Sequence, residues 1–364
     1  MNNSSAPTLT GNDATQFFFE LTPEKILDAV ETLGFRCTGR SLALNSMENR
    51  VYEVELDLDE PPRNPSEKFR IVKFYRPGRW SEEQIAEEHQ FLAELAGYEL
   101  PVVSPIASEE GQTIFREQTS GIMYSVFPKV GGRSPDELDD AQLLQIGRLL
   151  GRMHKIGITR EAPHRIICGP DNLANQGLLI LKDSGLVPAG FAARLFPLAE
   201  EIIELITPMF EDVPIQRIHG DCHLRNLIWG REGLTVVDFD DMMRGPCVQD
   251  LWLLIPGRDS ASAKQLNLLL EGYEQMCAFD RSTLSLIEPL RAMRIIHFAG
   301  WIAKRFADPA FPAAFPDFAS DRYWAELIEQ LDEQLKYIRA GGNAMNPIQE
   351  EESEEVVMAP WEVD

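Results

Sequence analysis

The hydrophobic pattern predicts mainly strands as far as about residue 128 and mainly helices beyond it. Residues 1–20 are polar. The first periodic segment follows, with Ile26, Leu27, Val30 and Leu33 at helical spacing behind Thr22 as a cap, Pro23 at the first helical position and Gly34 to close it. Period-two patterns then mark strands in CTGRSLALN, RVYEVELDL and KFRIVKFY, the last two separated by a polar loop with Pro61, Pro62 and Pro65. Ser81 to Gln84 is a capping box, and the helix it opens carries Ile85, Glu88, Leu92 and Leu95 on one side. VVSPIAS, TIFREQ and GIMYSVFP read as short strands completing a sheet of about five, and VFPKVGGR as the crossover to a second, larger unit.

In that second unit, DDAQLLQIGRLLGRMHKIG has a helical apolar face with His154 at its end, where a core or loop-bracing role is expected. A loop-rich region and a helix near LAEEIIELI lead to Ile218. Beyond Asp241, RGPCVQDLWLLI sets Asp250 at the start of an apolar helix, able to accept backbone N–H groups of the preceding loop or to cap its own helix. EPLRAMRIIHFAGWIAKRF is apolar on most sides, with Arg291 and Arg294 one turn apart, expected on the helix surface with contact to an anionic substrate as the alternative. DPAFPAAFPDF reads as a proline-punctuated loop, and YWAELIEQLDEQLKYI as a last amphipathic helix. The expected organisation is a mobile N-terminus at 1–20, a nucleotide-binding N-lobe at 21–128, a catalytic and substrate-binding C-lobe at 129–340, and an acidic disordered tail at 341–364.

A chain of 364 residues with 44% apolar content can bury two sizeable cores. Its formal charge of -24 argues against affinity for nucleic acid or anionic membrane. Five scattered cysteines form no C-x-x-C pair and fit neither a disulfide framework nor a zinc site. With no signal-peptide pattern and no long apolar run, a cytoplasmic location is expected.

The chemistry concentrates in IHGDCHLRNLIWGREGLTVVDFDD, residues 218–241. Phosphoryl transfer from a nucleotide uses an Asp to take the acceptor hydroxyl's proton, an Asn on the same loop and a later Asp to hold magnesium. Asp221, Asn226 and Asp238 follow that order, so Asp221 is the candidate base, Asn226 and Asp238 the metal ligands, and Asp238 also catalytic. His219 is expected to brace the loop, and Asp240 and Asp241 are either further ligands, substrate contacts or solvated acids. Cys222 adjoins the base, but no cation in the sequence marks it as a thiolate.

Upstream, Lys73 shares a strand face with Phe69 and Ile71 and points its ammonium inward, where it needs an anion. Glu88, on the apolar side of the next helix, is the expected partner, a pairing that orients nucleotide phosphates in kinases. The loop Asn45 to Arg50 is not glycine-rich, yet Ser46 in it can offer a hydroxyl and a backbone N–H to a phosphate, the alternative being a plain hairpin turn. The backbone from Ser125 to Val130 is where an adenine edge would be read.

Gly after His in the catalytic loop, DFD in place of DFG, and the lack of a glycine-rich loop and an A-P-E segment resemble the aminoglycoside phosphotransferase and choline kinase branch of the protein-kinase-like fold. LNSMENRVYEV, VKFYRPGRW, EEHQF, FPKVGGR, LGRMH, HGDCHLRN, VQDLW, EPLRAMR and DPAFPAAFP together resemble the bacterial stress response kinase A family, over about Leu21 to Ile338. The resemblance implies an α+β, two-lobed fold with a small, mostly antiparallel β N-lobe and a larger helical C-lobe. It implies an ATP- and Mg2+-dependent serine/threonine protein kinase, monomeric and cytoplasmic, that phosphorylates itself and supports survival under envelope or oxidative stress. Asp221, Asn226, Asp238 and the ATP-touching Ser46 carry over by motif, whereas the PPRNPSE insertion and the acidic tail look like additions. Two other functions fit the residues: a small-molecule alcohol kinase of choline, homoserine or aminoglycoside type, and a catalytically silent nucleotide-binding regulator.

Overall fold

The computed structural model describes Phe18 and residues 21–341. The expected mobile N-terminus therefore lies almost wholly outside the described residues, and so does the acidic tail beyond Gly341. Helix α1 (Pro23–Glu31) starts as its sequence dictates, with Thr22 accepting from the Lys25 amide. Strands β1 (Cys37–Leu44), β2 (Arg50–Leu56) and β3 (Phe69–Phe74) follow. Helix α2 (Glu82–Gly97) opens with the reciprocal Ser81 and Gln84 capping bonds. Strands β4 (Phe115–Arg116) and β5 (Met123–Pro128) complete an antiparallel sheet in the order β1-β2-β3-β5-β4.

Alternation splits this sheet's side chains into two sets. Val54, Val72, Phe74, Tyr124 and Val126 pack with Ile26 and Val30 of α1 in a small core. Val51, Glu53, Ile71 and Lys73 face a cleft instead. Phe91, Leu92 and Leu95 of α2 belong to a second, much larger core.

That larger core is helical. It is built on α3 (Asp140–Gly157), α4 (Gln176–Ser184), α5 (Ala189–Ile206), α6 (Val248–Trp252), α7 (Ser260–Glu274), α8 (Ile287–Arg305), α9 (Ala310–Ala314) and α10 (Asp321–Arg339). Two small antiparallel pairs stand at the cleft between the cores. β6 (Gln216–Ile218) pairs with β9 (Met243–Gly245), and β7 (Leu227–Gly230) with β8 (Gly233–Val236). The architecture is thus the expected two-lobed α+β fold. Helices α4 and α8 cross closely, because Gly177 and Gly300 meet there and a Cβ on Gly300 would lie 2.6 Å from Gly177 Cα.

Four local expectations are corrected. VVSPIAS is no strand, since Pro101 and Pro105 lack the N–H a ladder needs, and only Val102 makes an isolated bridge, to Val236. TIFREQ shrinks to the two residues of β4. DPAFPAAFPDF contains α9, with Pro309 just before the helix, and the loop-rich region before LAEEIIELI contains α4.

Candidate functional site

The cleft encloses about 1060 Å³ and is lined by the β1–β2 loop, β3, the loop after β6, the segment after β8, and α4 and α8. The loop from His219 to Asn226 is held from behind. Asp250, fully buried at the start of α6, accepts from the backbone amides of His219 and Gly220, each at 2.8 Å, and faces His154 Nε2 at 3.0 Å. The sequence left Asp250 between two roles, and the loop-holding one is observed. His219 Nε2–H donates to the Val237 carbonyl (2.9 Å), so its Nδ1 is the acceptor for the Asp221 amide (3.3 Å). One imidazole therefore ties the Asp221 turn to the segment leading into Asp238.

Gly220 explains why this loop departs from H-R-D. Its φ is +87°, and a Cβ there would collide with the Asp241 carbonyl, so only glycine fits.

Asp221 lines the cleft, with Oδ1 2.9 Å from Arg294 Nη1 and Oδ2 3.4 Å from His223 Nε2. Burial works to raise its pKa, but Arg294 and then His223 outweigh it and hold the carboxyl far below the usual range. Asn226 is buried and donates Nδ2–H to the Asp221 carbonyl at 2.9 Å, closing the loop on itself, while its Oδ1 takes no hydrogen bond among the described residues. Asp238 stands at φ +62°, ψ +65°, a left-handed backbone that a non-glycine residue holds at some cost. That turn leaves its carboxylate 57% exposed in the cleft.

Lys73 does point inward, and Glu88 acts on it electrostatically as expected, but its nearest carboxylates are others. The ammonium lies 2.8 Å from Asp240 Oδ1 and 3.5 Å from Asp238 Oδ1, while Glu88 pairs with Arg165 Nη2 at 2.9 Å. The reason is the tight turn Phe239–Asp241, which tucks Asp240 beneath the sheet. Arg165 then bridges the two acids, donating also to the Asp240 carbonyl at 2.8 Å. Asp240 also receives Asn49 Nδ2 (3.1 Å) and Arg79, whose second nitrogen lies 2.6 Å from Asp241. Far from a solvated acid, Asp240 is 4% exposed. Burial would raise its pKa, yet Lys73 and Arg79 hold it well below the usual range.

Ser46 lines the cleft on a loop that is tied across it. Arg76 Nη2 donates to the Met47 carbonyl (3.1 Å) and Arg76 Nε to the Glu48 carbonyl (2.9 Å). The Glu48 carboxylate reaches α8, accepting from Trp301 Nε1 and from Arg305 at 2.6 Å. Cys222 is inert by its surroundings, since burial first, then Asp250 and Asp221, push its thiol up.

Sequence reasoning missed Arg79 and Arg165, which lie in connections without periodicity. Arg294 was expected on the helix surface with a substrate contact as the alternative, and it lines the cleft; Arg291, expected on the surface too, is buried beside Glu288, because nothing in a helix apolar on most sides says which side meets a cleft.

The profile of the Phosphotransferase enzyme family matches residues 42–287. Stress response kinase A of Escherichia coli K12 is 39% identical over 338 residues, spanning 93% of this chain and 99% of that protein. The serine/threonine protein kinase RdoA of Salmonella typhimurium LT2 is 38% identical over the same shares. Among solved structures, the amicoumacin kinase hAmiN in complex with AMP-PNP, Ca2+ and Ami superposes with TM-score 0.66 at 18% identity, covering 86% of this chain and 96% of that one. Spectinomycin phosphotransferase APH(9)-Ia with ADP and its antibiotic gives TM-score 0.62 at 13% identity, covering 87% and 99%. Both likenesses concern the fold.

Proposed function

The chain belongs to the stress response kinase A family within the phosphotransferases that use an alcohol acceptor, and we propose that it transfers the γ-phosphoryl group of ATP to serine and threonine hydroxyls of proteins, itself included. The observation that carries this reading is the Lys73 ammonium 3.5 Å from Asp238, in a cleft that also exposes Asp221.

Asp221 orients the acceptor hydroxyl and takes its proton late in transfer, as a carboxylate held this acidic is a weak base and chiefly a positioning group. Lys73 holds phosphate oxygens, and Ser46 offers its hydroxyl and amide to them. Asn226 and Asp238 would hold Mg2+. The fit is supported by an unengaged amide oxygen on Asn226 and an exposed carboxylate on Asp238, both hard oxygen donors. Two protein donors leave room for phosphate oxygens and water in the ion's shell. The ion would neutralise charge on the group being transferred.

An amine-bearing acceptor of choline or aminoglycoside type is the second reading, since Asp221, Asp238 and Asp241 line the same cleft as Arg294, Lys304 and Arg305. The same reading gives a cytoplasmic monomer that supports survival under envelope or oxidative stress; no described helix is long and apolar enough to cross a membrane. Incubating the protein with Mg-ATP and a mixed panel of proteins and small alcohols tests the proposal. Phosphoserine or phosphothreonine that disappears on chelation is expected, and turnover of one small alcohol without phosphoprotein refutes the protein acceptor.

A further inference from the structure

One wall of the cleft is built for an anion that phosphoryl transfer by itself does not require. Over three turns α8 turns a single stripe inward: Arg294, then His297 and Phe298, then Trp301, then Lys304 and Arg305. Phe298 and Trp301 stack at 5.5 Å between the cations. Asn172, Gln176 and Ile180, around the α4 helix that packs against α8, carry no charge, while the acids Asp238, Asp240 and Asp241 line the cleft on the segment after β8. Burial first, then Arg294 and Arg305, drive the His297 imidazole down to about 4, so it stays neutral and adds no charge to the stripe.

The stripe already holds a carboxylate. Glu48 reaches over from the β1–β2 loop to Arg305 and the Trp301 indole. Among the described residues Arg294 makes one hydrogen bond, to Asp221, and Lys304 is exposed at the rim. A segment carrying a hydroxyl beside several carboxylates matches this wall, with the hydroxyl at Asp221 and the acids along α8.

The chain carries such a segment. Residues 342–364 contain Glu350, Glu351, Glu352, Glu354, Glu355, Glu362 and Asp364, no Lys or Arg, and a single hydroxyl side chain, Ser353, in the middle of the glutamates. The last helix, α10, ends at Arg339 and packs against α8. Twelve Cα-to-Cα steps lead from Gly341 to Ser353, a reach of about 40 Å when extended, against about 28 Å for the whole length of α8.

We infer that the α8 stripe is an acceptor site for acidic hydroxyl-bearing segments, and that Ser353 in the chain's own tail is its acceptor. This rests on the reading of Asp221 as the group that receives the hydroxyl. The Ser353 Oγ bonds to the γ-phosphorus of ATP, the bond from that phosphorus to the β–γ bridging oxygen breaks, ADP leaves, and the serine proton passes through Asp221 to water.

The test uses the full-length protein with Mg-ATP, its Ser353→Ala and Lys304→Glu variants, and three 21-residue peptides: residues 344–364, the same with Glu350, Glu351, Glu352, Glu354 and Glu355 replaced by Gln, and the same with them replaced by Lys. Phosphate is expected on Ser353 of the protein. The Glu peptide should be used at least tenfold more efficiently than the Gln peptide, and the Lys peptide least. Lys304→Glu should raise KM for the Glu peptide about tenfold and narrow its lead over the Gln peptide. Equal use of the Glu and Gln peptides, or phosphate only on hydroxyls other than Ser353, overturns the inference and leaves the kinase reading standing. No transfer to any peptide, protein or alcohol, with Asp221→Asn indistinguishable from the parent, takes both down.

Discussion

Arg294 Nη1 donates to Asp221 Oδ1 at 2.9 Å, from a helix 73 residues downstream of the loop it steadies. The contact fixes one carboxylate oxygen of Asp221 and places a guanidinium beside it in the cleft.

Removing that guanidinium should change a pH profile. Asp221 works as a carboxylate, and its folded pKa is depressed below the ordinary 3.8, so its own protonation does not limit the parent until very low pH. In Arg294→Gln, burial is left opposed chiefly by His223, and the acid limb of kcat/KM should move upward by roughly one to three pH units. The same depressed group contributes stability that is present above about pH 4 and lost as pH falls, so the variant should also show a flatter acid-side loss of stability. An unmoved limb would mean that Arg294 is only a packing residue.

Lys73 faces two carboxylates that otherwise repel, and on the proposed function a phosphate would compete with Asp240 and Asp238 for it. Lys73→Met should weaken ATP binding at least tenfold and lower kcat about a hundredfold. Stability should fall by roughly 3 kcal/mol or less, because Arg79 and Arg165 still face Asp240. Calorimetric titration with ATP beside urea unfolding measures both quantities.

Asp250 organises the floor of the loop, holding two backbone amides and His154 at once. Asp250→Ala leaves these donors buried without a partner and should cost about 3–5 kcal/mol. Burial alone would depress His154, but Cys247 and then Asp250 push it up to about 10. Its folded pKa is raised, so its contribution is complete below the unfolded value near 6.5 and is lost as pH rises toward 10. Urea unfolding should therefore show stability declining over that alkaline window, and Asp250→Asn should flatten the decline.

What could be read from the sequence was local. Asp221, Asn226 and Asp238 sit within 18 residues of one another, so their order and spacing alone announced a phosphoryl-transfer loop. Strand parity sufficed to turn Lys73 inward, and helical spacing to bury Glu88, but neither names a partner. The partner was decided by the turn at Phe239–Asp241 and by Arg165, whose arrival between Glu88 and Asp240 is a tertiary event. Pro101 and Pro105 erased a strand that an apolar run had suggested. The side that Arg294 faces was out of reach for another reason. The angle at which α8 meets the cleft depends on its close crossing with α4 at Gly177 and Gly300, a contact between segments 123 positions apart.

The central claim is that Asp221 receives the acceptor hydroxyl in transfer from Mg-ATP to protein. Its most direct test is the rate of phosphate incorporation into protein by the parent and by Asp221→Asn, measured with isotopically labelled Mg-ATP and located by mass spectrometry. The account predicts incorporation on serine or threonine that falls about 10²–10⁴-fold in the variant, with ATP binding changed by no more than about twofold. Equal rates in the two proteins, with ATP bound normally by both, would contradict it.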